Sequence, residues 1–211
     1  QGIASDEIAQ KWDISREAMD KLGLQSHQRA WKATEDGILQ KEIAPIQGVD
    51  DEGNLLTVDR DQGIRPGTTL DKMAGLNPVF TADGVTTAGN SSQITDGAAA
   101  VLVMTAEKAA ELGLKPRARI VEMATVGSDP HLMLTGPTAA TQKVLQRANM
   151  NIDDIDVFEV NEAFASVVRM WEKDIGADLS KVNIHGGAIA LGHPLGGSGA
   201  RLMTTLINAL E

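Results

Sequence analysis

An alternation of strand-like and helix-like segments begins near residue 95 and constrains the fold more than any other feature of this chain. AAAVLVM (98–104) is a continuous apolar run, the pattern of a strand buried on both faces. Thr105 follows as a helix cap, and that helix is expected to end at Gly113. RARIVEMATVG (117–127) reads as a second strand. Pro137 sits at a first helical position of a helix reaching Ala148, and IDVFEV (155–160) reads as a third strand. Asn161 is placed as the N-cap of the next helix, with Glu162 as a first-turn acid complementing the dipole. On that helix Phe164, Val167, Val168 and Trp171 fall at i, i+3, i+4 and i+7, one buried face. VNIHGG is a fourth strand running into a glycine-rich loop, and the last helix starts near Ser198 with Leu202, Leu206 and Leu210 on one stripe. Alternation of this kind predicts an α/β fold, a sheet layered with helices. In such sheets functional groups collect where strands hand over to helices.

Residues 1 to about 94 are more polar and more broken. Ser5 is read as the cap of a short helix ending near Trp12. Ser15 caps a second, with Ile14 and Met19 at staple spacing and Gly37 as its stop after Asp36. KEIAPI (41–46) and NLLTV (54–58) read as strands around DDEGN. Arg65-Pro66-Gly67 is a turn, Thr68 or Thr69 starts a small helix, and Asn77-Pro78 breaks the chain again.

Composition narrows the function classes. The 211 residues suffice for one large domain or two smaller ones. Aromatics are 3% with no tyrosine, so the core is built from Ala, Val, Ile, Leu and Met. A net charge of −10 repels a nucleic-acid backbone overall, while a local basic patch remains able to hold a small anion. No apolar run has the length needed to span a bilayer. With no cysteine, the chain has no disulfide, no thiolate-bound metal and no thiol nucleophile of its own, which points mildly to a reducing compartment. Both ends read as cut: the chain opens on Gln1-Gly2-Ile3 without a signal-like segment and closes on Leu210-Glu211 within a helical pattern.

The residues that carry chemistry concentrate in NIHGGAIALGHPLGGSGAR (183–201). Its six glycines let backbone approach a ligand closely. His193, fixed between Gly192 and Pro194, is a group able to move protons near neutral pH. Asn161 lies 32 residues earlier at another strand-to-helix handover, and its bland reading is a helix cap. Ser91 and Ser92 lie in TTAGNSSQITDGAAA (86–100); a Ser–His pair would point to a hydrolase, but no G-x-S-x-G elbow is present. His185 reads as a strand-end packing residue, and His27 and His131 have no ligand-like partners. No spacing implies a metal. The glycine loop does not match G-x-G-x-x-G, so a dinucleotide fold is rejected, although a glycine-rich helix entry still offers N–H groups to an anion or carbonyl oxygen. Arg65 and Lys72 flank a turn in an acidic region, as solvated surface charge or as a site for a phosphorylated cofactor.

Three segments taken together, GNSSQITDGAAA (89–100), NEAFA (161–165) and GGAIALGHPLGGSGAR (186–201), resemble the thiolases, the acetyl-CoA acetyltransferases and 3-ketoacyl-CoA thiolases. The resemblance extends to the DEIA-x-x-W-x-x-SRE opening and to IRPGTTLDKMAGLNPVF. It implies a layered αβαβα fold, partial here. Residues 1–94 would form a CoA-binding loop domain, 95–115 the end of the N-terminal half and 116–211 a truncated C-terminal half. It implies acyl transfer between CoA and an acyl-CoA, by thiolysis or Claisen condensation, without metal or covalently bound cofactor and with CoA as substrate. His193 would activate a thiol and contribute to an oxyanion hole, and Asn161 would hold a water completing it. Ser92 would lie by the pantetheine arm, Arg65 would contact the nucleotide end of CoA, and Lys72 would join the CoA-binding set. Both catalytic cysteines would lie outside the chain, leaving it inactive alone. A homodimer or homotetramer is implied for the intact enzyme, in the cytoplasm of a bacterium or an organelle matrix of a eukaryote. The alternative is a non-catalytic acyl-CoA-binding protein of the same ancestry; a serine-dependent hydrolase using Ser92 and His193 is the weaker third.

Overall fold

A computed structural model describes residues 1–211. Three helices enclose the core: α1 (Gly2–Lys11), α2 (Arg16–Glu35) and α6 (Ala165–Ile175). Their apolar faces bury Ile8, Met19, Leu22, Val168, Met170 and Trp171 in one cluster. The face expected for α6 is the buried one, with Phe164, Val167, Val168 and Trp171 all inside. Ser15 caps α2 by accepting from the Ala18 N–H, as its sequence position predicts, and Gly37 follows the helix at φ 72°. The α1 cap differs from expectation: the helix starts after Gln1, and Ser5 lies inside it. The Ser5 hydroxyl is buried and bonded to Thr86 Oγ1 at 2.8 Å and Ser166 Oγ at 2.7 Å, so it joins three segments instead of ending one.

A hairpin of β1 (Ile46–Val49) and β2 (Leu55–Val58) pairs antiparallel, Ile46 opposite Val58. The first strand therefore begins where KEIAPI ends, because residues 39–41 form a 3₁₀ turn packed on α2 through Leu39. Thr69 caps α3 (Leu70–Ala74), and Thr105 caps α4 (Ala106–Glu111). Pro137 lies in the first turn of α5 (Gly136–Ala148), which ends at Asn149 with φ 54°. A short α7 (Ala188–Leu191) and α8 (Ser198–Ala209) complete the chain. The Leu202–Leu206 stripe of α8 is only half-buried, and Leu210 is exposed.

The predicted layered sheet is the main correction. The fold is mixed α/β and mostly helical, and its one sheet is the two-stranded hairpin. Segments 98–104 and 117–127 make no backbone–backbone hydrogen bonds, and Leu102, Val103, Val121 and Met123 are exposed. An apolar run becomes a ladder only when another strand accepts its N–H groups, and none lies beside these two. Segments 155–160 and 182–187 meet through a single parallel bridge, Phe158 with Val182. The ladder stops there because Asn183 turns to φ 47°. Its side chain takes over the pairing, accepting from Val160 N–H at 2.8 Å and donating to the Val160 carbonyl at 2.9 Å. The bridge sets residues 159–162 beside the start of the glycine loop.

Candidate active site

The site is assembled from the glycine loop upward. Beyond Gly186, Gly187 leads into the fully buried α7, and a side chain at Gly187 would overlap the Glu162 carboxylate. Gly192 then turns the chain at φ 91°, where a Cβ would also meet Thr95, so that position admits only glycine without strain. His193 follows, its N–H donating to the Gln93 carbonyl at 3.0 Å. Pro194 folds the chain back so that its carbonyl accepts from the N–H groups of Gly197 at 2.8 Å and Ser198 at 2.9 Å, starting α8.

This geometry holds the imidazole from both sides. Nε2 lies 3.3 Å from Asn161 Nδ2, and Nδ1 lies 2.5 Å from Ser198 Oγ. Asn161 is thus not the expected N-cap, since α6 starts four residues later, after Phe164. Its amide oxygen is buried and has no protein partner. Partial burial, reinforced by the positive Arg201, holds His193 below the usual histidine pKa, so the ring is neutral at pH 7 and able to accept a proton. Between Thr95–Ala98 and Pro194–Gly197 opens a cleft of about 410 Å³.

Glu162 is also reassigned, from first-turn helix-dipole partner to buried anchor. It is 3% exposed and accepts from Ser26 Oγ at 2.6 Å, Asn183 Nδ2 at 2.9 Å and the Ile189 N–H at 3.2 Å. Burial raises its pKa despite these bonds. Through it, α2, the Asn183 turn and α7 are fastened beneath Asn161.

The remaining predicted residues divide. Ser92 donates its N–H to the Ala163 carbonyl at 3.0 Å, next to the Asn161 segment. No hydrogen bond joins Ser92 to His193; the serine on the ring is Ser198, which at 4% exposure is too buried to act as a nucleophile. Arg65 and Lys72 stand exposed, Arg65 on the turn before α3 and Lys72 within α3, where Lys72 Nζ reaches back to donate to the Gly67 carbonyl at 2.7 Å. His27 has a partner after all: its Nδ1 accepts the Arg65 N–H at 3.2 Å, and burial with the nearby Arg65 charge lowers its pKa to about 4. His131 pairs with Glu7 at 2.6 Å.

Four residues that sequence reasoning passed over are structurally central. Ser198 lies five residues after His193 at the first position of α8, as its sequence position predicts, but its contact with the ring is readable only once the Pro194 turn is known. Gln93 spans the site. Its side-chain amide donates to the carbonyls of Gly63 at 2.8 Å and Ile189 at 3.0 Å while its main-chain carbonyl holds the His193 N–H, so one residue links the Arg65 loop to the glycine loop. Glu159 and Arg201 are buried polar groups without protein hydrogen bonds at either Glu159 oxygen or at any Arg201 nitrogen.

Burial pushes the Glu159 carboxyl up to about 8, with Arg201 opposing and Glu162 and Glu42 adding to the shift. Because the folded pKa exceeds the unfolded one, the folded state holds the proton, and the stability this gives is lost as pH rises from about 4.5 to about 8. Glu159→Gln removes that loss. Its stability relative to the unsubstituted chain is expected to climb between pH 5 and pH 8, by on the order of a few kcal/mol, and then level off, seen as a widening gap between the two melting temperatures. Parallel melting curves across that range would count against the shift.

Comparison with known proteins matches both ends of this geometry to one family. Residues 1–107 match the thiolase N-terminal domain and residues 114–211 the thiolase C-terminal domain. The chain is 50% identical to the 3-ketoacyl-CoA thiolases of Aliivibrio fischeri and of Vibrio vulnificus, covering 100% of itself and 55% of each relative. It therefore spans about half the length of the curated relatives it matches. The solved Bacillus anthracis acetyl-CoA acetyltransferase superposes at TM-score 0.95 with 39% identity, over 99% of this chain and 53% of that one. Human mitochondrial 3-ketoacyl-CoA thiolase superposes at 0.91, also with 39% identity, over 98% and 52%. With both domains matched in sequence and the backbone shared with solved members, this chain belongs to the thiolase family.

Proposed function

We propose that this chain supplies the histidine–asparagine side and the CoA-contacting loop of a thiolase-type acyltransferase whose thiol nucleophile lies outside these residues. The observation that carries the reading is the His193–Asn161 pair at the glycine loop, Nε2 to Nδ2 at 3.3 Å, with the Asn161 oxygen buried and unpartnered. In the parent enzyme, a cysteine thiol gives its proton to Nε2 and its sulfur attacks the ketone carbonyl of a 3-ketoacyl-CoA. The oxyanion that forms is met by Nε2–H and by a water on Asn161, fixed donors of the kind that supply much of such catalysis. The carbon–carbon bond then breaks and the leaving carbanion takes a proton from a second cysteine, also outside these residues, to become acetyl-CoA; a second CoA thiol returns a proton to that cysteine, attacks the acyl thioester and leaves as acyl-CoA, and the freed thiolate recovers its proton from Nε2. The condensation direction runs the same steps in reverse.

CoA enters as substrate, with Arg65 and Lys72 toward its phosphates and Ser92 toward the pantetheine arm. Two exposed cations, one on a turn steadied by His27 and Gln93 and one on the helix that follows it, support that placement. The division into a loop region (1–94), the end of one half (95–115) and a second half (116–211) belongs to the same reading, as does a homodimer or homotetramer of the parent. No helix is long and apolar enough to cross a membrane.

The lack of cysteine favours one rival, a thiolase-like acyl-CoA binder without turnover. Two measurements separate the readings. The isolated chain is expected to show no thiolysis of a 3-ketoacyl-CoA; turnover would overturn the assignment of the nucleophile to another segment. The full-length protein is expected to form an acyl-cysteine on mixing with acetyl-CoA, seen by intact mass. A full-length protein that binds CoA and never acylates would make the binder reading correct.

A further inference from the structure

We propose that Ser198 is a positioning residue that fixes the tautomer of His193, holding the neutral ring as Nδ1–H so that protons are exchanged at Nε2. The inference deepens the role given to His193 above and takes its functional meaning from that reading. The hydroxyl of Ser198 lies 2.5 Å from Nδ1 and donates to the Pro194 carbonyl at 3.0 Å. A hydroxyl has one proton, and with that proton on Pro194 only a lone pair faces the ring. Nδ1 must then be the protonated nitrogen.

The opposite side of the ring agrees. Asn161 Nδ2 faces Nε2, an arrangement that requires Nε2 to be the acceptor. The other tautomer would need the amide reversed, with its oxygen on Nε2–H and its NH₂ group where the buried, unpartnered oxygen now lies. Reversal leaves both amide N–H groups without the ring as acceptor, where the present orientation leaves one N–H and the oxygen. When Nε2 takes a proton, Nδ1–H keeps its acceptor on Ser198, and only the Asn161 amide, then facing a second donor, has to turn. Ser198 is well suited to hold this geometry. It is buried, it is the first residue of α8, and its own N–H is tied to the same Pro194 carbonyl. Arg201, on the next turn of α8, opposes protonation of the ring but does not touch either nitrogen.

The test is the tautomer itself, read by long-range proton–nitrogen correlation on ¹⁵N-histidine-labelled chain at pH 8. The chain has four histidines, and His193→Gln identifies the signals of residue 193 by their loss. Native His193 is expected to show a protonated Nδ1 and a bare Nε2. Ser198→Ala is expected to move the ratio roughly tenfold toward Nε2–H, the size of one lost hydrogen bond, while Ser198→Thr restores the native pattern. A native ring protonated at Nε2, or an unchanged ratio in a folded Ser198→Ala, would overturn the proposal. If Ser198→Ala does not fold, the native and Ser198→Thr spectra still decide it. No substrate is present, so failure here leaves acyl transfer standing, and a protein that never acylates leaves the tautomer result intact.

Discussion

Replacing His193 by Ala in the full-length protein is expected to lower kcat for thiolysis about 10²–10⁴-fold, the range typical of a positioned acid–base group. The loss has two parts. The thiol loses the acceptor for its proton, and the oxyanion loses one of two fixed donors, itself worth about 10²–10³-fold. KM for CoA should change little, because the cations assigned to CoA lie on a separate turn and the helix after it, and His193 meets that turn only through Gln93. Asn161→Ala should act in the same direction with a smaller effect, since Nε2 keeps its ability to take the proton. Steady-state kinetics with separate kcat and KM would check this. A His193→Ala enzyme that loses CoA affinity while keeping kcat would mean the ring binds substrate and takes no part in the chemistry.

Glu162→Ala is expected to be among the most damaging substitutions to stability, at about 3–5 kcal/mol. The carboxylate is the shared acceptor for a hydroxyl on α2, an amide on the Asn183 turn and a main-chain N–H of α7. Removing it takes the acceptor from the Asn183 amide hydrogen and the Ile189 N–H, leaves Ser26 only the Gly187 carbonyl at 3.3 Å, and opens a void against Gly187. Differential scanning calorimetry should record a drop of roughly 10 °C. Glu162→Gln should cost less, because one oxygen can still serve Ser26 and Ile189 while its new NH₂ group faces the NH₂ of Asn183. A Glu162→Ala protein melting within a degree of the original would show that these bonds are not what fastens the loop.

Local features were the readable part. The Ser15, Thr69 and Thr105 caps, the stop at Gly37 and the apolar face of α6 depend on residues within a turn or two of one another, so spacing alone reveals them. The family was legible for a different reason: the glycine density and the NEAFA and GHP segments identify it before any coordinate is known. Strands were read poorly, since an apolar run such as 98–104 states what a segment would bury and not which neighbour pairs with it. Glu162 was misplaced because its type and position suit a helix start equally well. Only the path of α2 and α7 around it turns it into a buried acceptor.

The sequence by itself determined the family and most of the helix positions, and it singled out His193 in the glycine loop, all of which rest on local pattern. It also determined that no thiol is available within these residues. Tertiary structure decided which groups His193 meets. Asn161 comes to Nε2 from 32 residues away because a single strand bridge and the turned Asn183 align two segments that spacing cannot align. Ser198 comes to Nδ1 because Pro194 folds α8 back over the ring, a consequence of backbone geometry that no list of residue types contains.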